Sequence, residues 1–307
     1  MRSLSIAAPT SPPKRRHLFL TPYLFILPAA LLFIVFMLYP LVDAFRISLY
    51  DWKIVPGANS PFVGLDNYTR AFQDDVFWIA LRNTVLYTVV TVPAQMILAM
   101  LVALALDAVP RGRVFFRVLY YLPVITSWVV VSLLFKYMFD STEAGIINYF
   151  FMRIVPVLHE PVPWLREAGP ALIAIMALGV WKGIGWSMVI FLAALQGIPH
   201  ELHEAAMIDG ANGWQRFWNV TIPLMRPTIV FVLVLLIIGG FNVFISVYLM
   251  TGGNPVHRTE TMLTYMYNES FNFLEFGYGA ALSYILAAII FVISFIQLKV
   301  LRNPVEV

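Results

Sequence analysis

Cysteine is absent from the 307 residues. With it go disulfides, thiolate zinc or iron–sulfur centres and thiol nucleophiles. Charge is scarce: Asp, Glu, Lys and Arg make up 12% of the chain, where an ordinary soluble domain has about 25%. That leaves too little polar surface to cover a soluble two-domain enzyme. No lysine follows a glycine, so the phosphate-cradling Gly-Lys-Ser/Thr loop cannot be written, and ATP cannot be bound and split by that route. The nucleophile elbow G-x-S-x-G is missing too, since Gly185-Trp186-Ser187-Met188-Val189 fails at its last position. No basic patch interleaves with aromatics, which removes the footprint of a nucleic-acid binder.

What is present is apolar and comes in blocks. Hydrophobic residues make up 60% of the chain and the mean hydropathy is +0.80. Six stretches reach the ~20 residues that a helix needs to cross a hydrocarbon core. They lie near 19–42, 83–106, 118–139, 171–195, 227–250 and 279–298. Backbone groups cannot stay unpaired in lipid, so each stretch is expected to be a helix. A barrel is excluded, because the runs do not alternate and are far longer than its ~10-residue strands. The fold class is therefore all-α, a polytopic membrane protein, with one transmembrane domain over 19–300. Residues 1–18 and 301–307 are expected as tails, the first of them disordered. The first apolar run is too long for a signal core and is not closely followed by a small-x-small cleavage site, so a retained helix is expected.

Six spans put both tails on one side. That side carries eleven Lys and Arg over 69 residues, and the other seven over 99. The imbalance predicts cytoplasmic tails. By these boundaries no Asp or Glu lies inside a span; Asp43, Asp107 and Asp140 fall just outside. Ion-coupled carriers place carboxylates at depth, so this absence argues against one. Lys182, by contrast, falls near the middle of the fourth span, where a charge must face a wet cavity or a partner. Pro28, Pro93, Pro123 and Gly239-Gly240 are expected to kink or loosen their spans.

The loop over 196–226 reads as helix, turn and helix. Pro199 suits a first helical position. Leu202, Ala205, Ala206 and Ile208 share roughly one face. Gly210 suits the left-handed residue that ends a helix. Asn212 or Gly213 can cap the next, with Trp214, Phe217 and Trp218 on its apolar side, and Pro223 is expected to stop it. His200 and His203 stand at i, i+3 rather than the i, i+4 of a zinc protease, and no third ligand follows, so a solvated helix face is expected there and no metal. The aromatic residues need cover, and the residues alone leave two readings open: packing on this chain or on the membrane, and docking into a partner's groove.

Glu204-Ala205-Ala206, three residues, Gly210, nine residues, Val220 and then Ile222-Pro223 resembles the EAA motif of permease subunits of bacterial ATP-binding-cassette importers. Val220 and Ile222 stand where that pattern has Ile and Leu. Leu195–Pro199, Phe62–Tyr68, Asn83-Thr84 and Thr251–Pro255 are similar to the carbohydrate-uptake branch, the relatives of the maltose and glycerol-3-phosphate permeases. The resemblance covers roughly residues 19–300. It implies an importer permease fold with a coupling helix. It also implies a second homologous permease subunit, two ATPase subunits that bind ATP and Mg, and an extracytoplasmic solute-binding protein, in a bacterial plasma membrane. It implies no cofactor in this chain and no catalytic residue.

By the same resemblance Glu204, Ala205, Ala206, Asp209, Gly210 and Ala211 would couple to the ATPase. Val124, Trp128, Lys182, Gly183, Gly240 and Val243 would line the substrate path. Asn242 is a nearby polar candidate, and Trp128, Trp181 and Trp186 are rings able to stack on a sugar. The implied function is uptake of a sugar, oligosaccharide or related polyol. The alternatives are a phosphorylated polyol such as glycerol 3-phosphate, with Lys182 on the phosphate, or a stand-alone channel or secondary carrier.

Overall fold

A computed structural model describes residues 21–54, 59–109, 111–155 and 159–301. The expected tails lie outside these residues, except Leu301. The chain divides into two units, one ending at Ile47 and one beginning at Ser48.

The first unit holds helix α1 (Thr21–Phe33), a π-helical turn (Ile34–Leu38) and α2 (Tyr39–Ser48) up to Ile47. Pro28 lies inside α1. The helix does not end at residue 42 but runs on through Asp43, whose carboxylate pairs with Arg46 at 2.9 Å. This i, i+3 pair offsets the two charges at the end of an otherwise apolar helix.

The second unit continues with α3 (Asp66–Gln73), α4 (Asp75–Ala108), α5 (Arg113–Ile125), α6 (Trp128–Met138), α7 (Ile146–Tyr149), α8 (Ala168–Gln196), α9 (His200–Ile208), α10 (Gly213–Arg216), α11 (Ile222–Phe241), α12 (Ile245–Met250), α13 (Met262–Tyr267) and α14 (Phe276–Leu301). No strand occurs among the described residues. Among the described residues five helical runs are long and apolar enough to span a membrane (Pro22–Ser48, Asp75–Ala108, Ala168–Gln196, Gly213–Met250 and Phe276–Val300), and a sixth span results if α5 and α6 are counted together.

Helix α4 is the rod on which the unit is built. Asp74 caps its start by accepting a hydrogen bond from the Val76 amide at 2.8 Å, and a carboxylate there also suits the helix dipole. Near its end the Arg113 guanidinium donates to the Leu106 carbonyl at 2.9 Å. Asp107 therefore lies inside the last turn of α4, not beyond it. Pro93 is accommodated within the helix.

Three apolar clusters sit along this rod. Phe77 and Ala80 pack with Phe241, Met262, Tyr265, Tyr278 and Leu282. Tyr87 packs with Phe135, Ile175, Leu178 and Val247. Ala99 and Ala103 pack with Met188, Phe191, Leu192 and Met225. Within each of the last two clusters the α4 and α8 residues named recur at spacings of three and four, so one face of each helix meets the other.

The third apolar stretch is not one helix. Helices α5 and α6 meet at 92°, with the break at Thr126 and Ser127. Pro123 removes a rung from the last turn of α5. The fifth stretch also breaks: α11 ends at Phe241, just past Gly239-Gly240, and α12 starts at Ile245. It begins earlier than expected as well. Pro223 does not stop a helix; α10 passes through a π-helical turn (Phe217–Thr221) into α11, and Pro223 sits in the first turn of α11, where its missing N–H costs little.

Candidate functional site

Two places in the second unit gather residues singled out by sequence. One is a pair of cavities between the broken helices. The other is the turn that joins α9 to α10.

A cavity of about 260 Å³ lies between α4, α5, α6, α8 and α11; Tyr87, Gln95, Val124, Trp128, Lys182, Gly183, Trp186 and Gly240 are among its walls. A second, of about 420 Å³, is lined by Tyr87, Trp128, Gly239, Asn242, Val243, Phe244, Ile245 and Ser246. Tyr87, Trp128 and Gly239 border both. The structure thus brings Val124, Trp128, Lys182, Gly183, Gly240, Asn242 and Val243 around one place.

Trp181 is not among them. One helical step from Lys182 turns it to the other side of α8, beside Leu119, Leu122, Pro123 and Thr126, where it is exposed. Its ring lies 5.5 Å from that of Phe135.

The polar groups of the cavity are mostly committed. The Lys182 side chain is buried, and its ammonium donates to the carbonyls of Pro123 and Thr126, both at 2.6 Å. Its nitrogen also stands 4.9 Å from the centre of the Trp128 ring. Gln95 donates to the Gly183 carbonyl and the Ser187 hydroxyl, each at 2.9 Å, which leaves its amide oxygen free to accept. Thr91 donates back to the Tyr87 carbonyl at 2.7 Å, and Asn242 to the Ile238 carbonyl at 2.7 Å. The buried Ser246 hydroxyl has no hydrogen-bond partner among the described residues. What remains is a set of aromatic faces (Trp128, Trp186, Tyr87) with neutral hydroxyl and amide groups. Such a wall suits a neutral, hydroxyl-rich molecule.

Tyr87, Thr91, Gln95 and Ser246 were not singled out by sequence. For the first three the signal was present. Thr84, Thr88, Thr91 and Gln95, with Tyr87 beside them, form a polar stripe at helical spacing in an apolar run.

At the other place α9 begins at His200, with Pro199 as its N-cap rather than its first residue. Gly210 is left-handed, with φ +80°. Asn212 caps α10: its side chain accepts from the Gln215 amide at 2.9 Å, and the Gln215 side chain accepts from the Asn212 amide at 2.8 Å. Glu204 pairs with His200 at 3.2 Å and is exposed. Ala205, Asp209 and Gly210 are exposed, and Ala206 and Ala211 half-buried. Ile208 is 86% and Trp214 70% exposed, and Leu202, Met207 and Trp218 are also open. The rings of Trp214, Phe217 and Trp218 lie against one another. No group of three or more metal-ligating side chains occurs among the described residues, here or elsewhere.

The other sequence motifs serve as struts at the α13 end. Asn83 donates to the carbonyls of Arg258 and Glu260, both at 2.8 Å, and Thr84 accepts from the Met262 amide at 2.9 Å. Asn67 donates to the carbonyls of Ser48 and Tyr50 at 2.8 and 3.1 Å.

Comparison with known proteins follows the same geometry. Residues 83–303 match the family model described as binding-protein-dependent transport system inner membrane component. The lactose transport system permease protein LacF of Rhizobium radiobacter is 37% identical over 294 residues, which is 94% of this chain and 96% of that protein. The sn-glycerol-3-phosphate transport system permease protein UgpA of Agrobacterium fabrum is 34% identical, over 93% of this chain and 96% of its own length. Among solved structures, a bacterial alginate ABC transporter in complex with alginate pentasaccharide-bound periplasmic protein has a chain that superposes with a TM-score of 0.80 at 23% identity, covering 93% of this chain and 95% of that one.

Proposed function

The chain belongs to the family of binding-protein-dependent transport system inner membrane components, and from that premise we propose that it is the membrane-spanning permease subunit of an ATP-driven importer for a sugar, oligosaccharide or related polyol. An extracytoplasmic binding protein delivers the substrate. A second, homologous permease subunit completes the path, and two ATPase subunits bind ATP and Mg and do the hydrolysis. This chain is not itself an enzyme. It sits in a bacterial plasma membrane with both termini on the cytoplasmic side, as the Lys and Arg distribution favours.

One observation carries the coupling half of this reading. Helix α9 stands exposed between α8 and α10, with apolar side chains turned outward at Leu202, Met207 and Ile208 and the small pair Ala205-Ala206 beside Glu204. A short helix of this kind fits a groove on a partner. Closure of the ATPase pair would push on Glu204–Ala211, and α10 with α11, continuous through the π-turn, would carry the push to the cavity. Asp209 and Gly210 form the turn between the two helices.

The cavity carries the substrate half. Among the described residues Lys182 is its one cationic wall residue, and the hydrogen-bond donors of Lys182 point at backbone carbonyls. An anion such as a phosphate would have to strip them away. Aromatic faces and neutral hydroxyl or amide groups favour an uncharged sugar or polyol over a phosphorylated one.

The test is ligand-stimulated ATPase activity of the complex reconstituted in proteoliposomes from co-expressed candidate partners, with binding protein loaded with neutral sugars or with glycerol 3-phosphate. A neutral sugar is expected to stimulate hydrolysis and to enter the vesicles. Glu204→Lys is expected to keep ATP hydrolysis but lose its dependence on sugar. Solute movement by this chain without any ATPase would overturn the importer reading, and stimulation by glycerol 3-phosphate alone would overturn the neutral-substrate reading.

A further inference from the structure

We propose that Lys182 is a positioning residue: its ammonium closes the C-terminal end of α5, fixes the elbow between α5 and α6, and so holds Trp128 where the two cavities meet. The proposal rests on reading the cavity as the substrate path, and it assigns Lys182 no contact with substrate.

The last carbonyls of a helix have no partner within it. Helix α5 ends at Ile125, where the chain turns through 92° into α6. The ammonium of Lys182 has three donors. It places them on Pro123 and Thr126 at 2.6 Å, with Val124 further off at 3.5 Å. Pro123 and Val124 lie in the last turn of α5 and Thr126 just past it, so the lysine acts as an external cap that lets the helix stop there. The negative end of the helix dipole favours a cation at this point. No carboxylate pairs with Lys182 among the described residues, and only 3% of its surface is exposed, so the carbonyls are what compensates its burial.

Trp128 begins α6 two residues beyond Thr126. Its ring borders both cavities and lies 4.9 Å from the lysine nitrogen, within cation–π range. One ammonium therefore holds the elbow through the backbone and the ring through its face. Released, the elbow is free to change its angle, and Trp128 would leave the junction.

The experiment uses the reconstituted transporter with 5-fluorotryptophan incorporated and the Trp128 fluorine resonance assigned by Trp128→Phe. Lys182→Met is expected to shift or broaden that resonance without any ligand present. It is also expected to raise the KM for sugar uptake about tenfold with a smaller change in kcat. Lys182→Arg, which can still donate to carbonyls, is expected to restore both. Lys182→Met with Trp128→Ala is expected to be no worse than Trp128→Ala alone, because the lysine acts through the ring. If Lys182→Met does not accumulate in the membrane, Lys182→Gln takes its place, since an amide keeps donors but lacks the charge. An unmoved resonance, or losses that multiply in the double variant, would overturn the proposal. A wild-type complex that ignores every neutral sugar would instead overturn the reading of the cavity, and the resonance arm would still decide the role of Lys182.

Discussion

Gln95 and Gly183 lock the two longest buried helices together. The Gln95 amide donates to the Gly183 carbonyl at 2.9 Å, and a Cβ at position 183 would come within 2.6 Å of all three terminal atoms of that amide. The same glycine is thus acceptor and clearance at once. Gly183→Ala is expected to push the amide off both the Gly183 carbonyl and the Ser187 hydroxyl, and to destabilise the protein by about 1–3 kcal/mol. The melting temperature of the purified protein in detergent should fall, and Gln95→Ala in the same chain should recover part of the loss. Gly239→Ala is the control, since its added Cβ meets nothing within 4 Å. An undiminished melting temperature in Gly183→Ala would show that α4 and α8 are not held by this contact.

Much of this arrangement is visible in the sequence, and the misses have physical causes. The apolar blocks mark the helices because lipid leaves the backbone no other partner. Lys182 stands out as a costly charge in an apolar run. That it serves a helix end could not be seen, because nothing local states that α5 stops at Ile125; the stop depends on a lysine some sixty residues away. Pro223 misled for the reverse reason. Proline ends a helix only where its missing N–H is needed, and the π-turn before it resets the ladder so that Pro223 falls in a first turn. Trp181 and Trp186 look alike as sugar-stacking rings, and only the rotation of α8 relative to α4 separates them.

Acid is expected to affect the α13 end in two opposite ways. Asp74 is partly buried, which raises its carboxyl, but hydrogen bonds from Tyr265, Tyr278 and the amides of Val76 and Phe77 outweigh this and hold it below the usual range. Burial raises Glu269, and the nearby Glu275 charge raises it further, against the pull of Arg70. The signs follow from linkage. A carboxyl raised by folding loses an unfavourable charge as pH falls through its folded value, so protonating Glu269 stabilises. A carboxyl depressed by folding contributes stability that is lost as pH falls through its folded value, so protonating Asp74 destabilises. Melting temperature should therefore rise slightly on mild acidification and drop below about pH 4. Glu269→Gln should abolish the rise, and Asp74→Asn should lower the neutral-pH melting temperature and flatten the acid drop. A steep acid drop that persists unchanged in Asp74→Asn would place the sensitive group elsewhere.

The turn between α9 and α10 depends on Gly210 and Asn212. Gly210 is left-handed, and a Cβ there would meet nothing, so Gly210→Ala acts through backbone strain alone, about 1–2 kcal/mol. Asn212→Ala removes the side-chain acceptor for the Gln215 amide and should cost the local helix about 1 kcal/mol. Because the turn is exposed, both changes should leave the melting temperature of the whole protein nearly unaltered. Amide exchange at Trp214, Gln215 and Arg216 should nevertheless quicken severalfold, as local opening becomes easier. If α9 passes force from the ATPase subunits to α11 through this turn, a softened turn loses that force before it loses the fold. Both variants should therefore assemble with the ATPase subunits normally and show less sugar uptake per ATP hydrolysed. Faster exchange with unchanged uptake per ATP would mean that the force does not pass through Gly210 and Asn212.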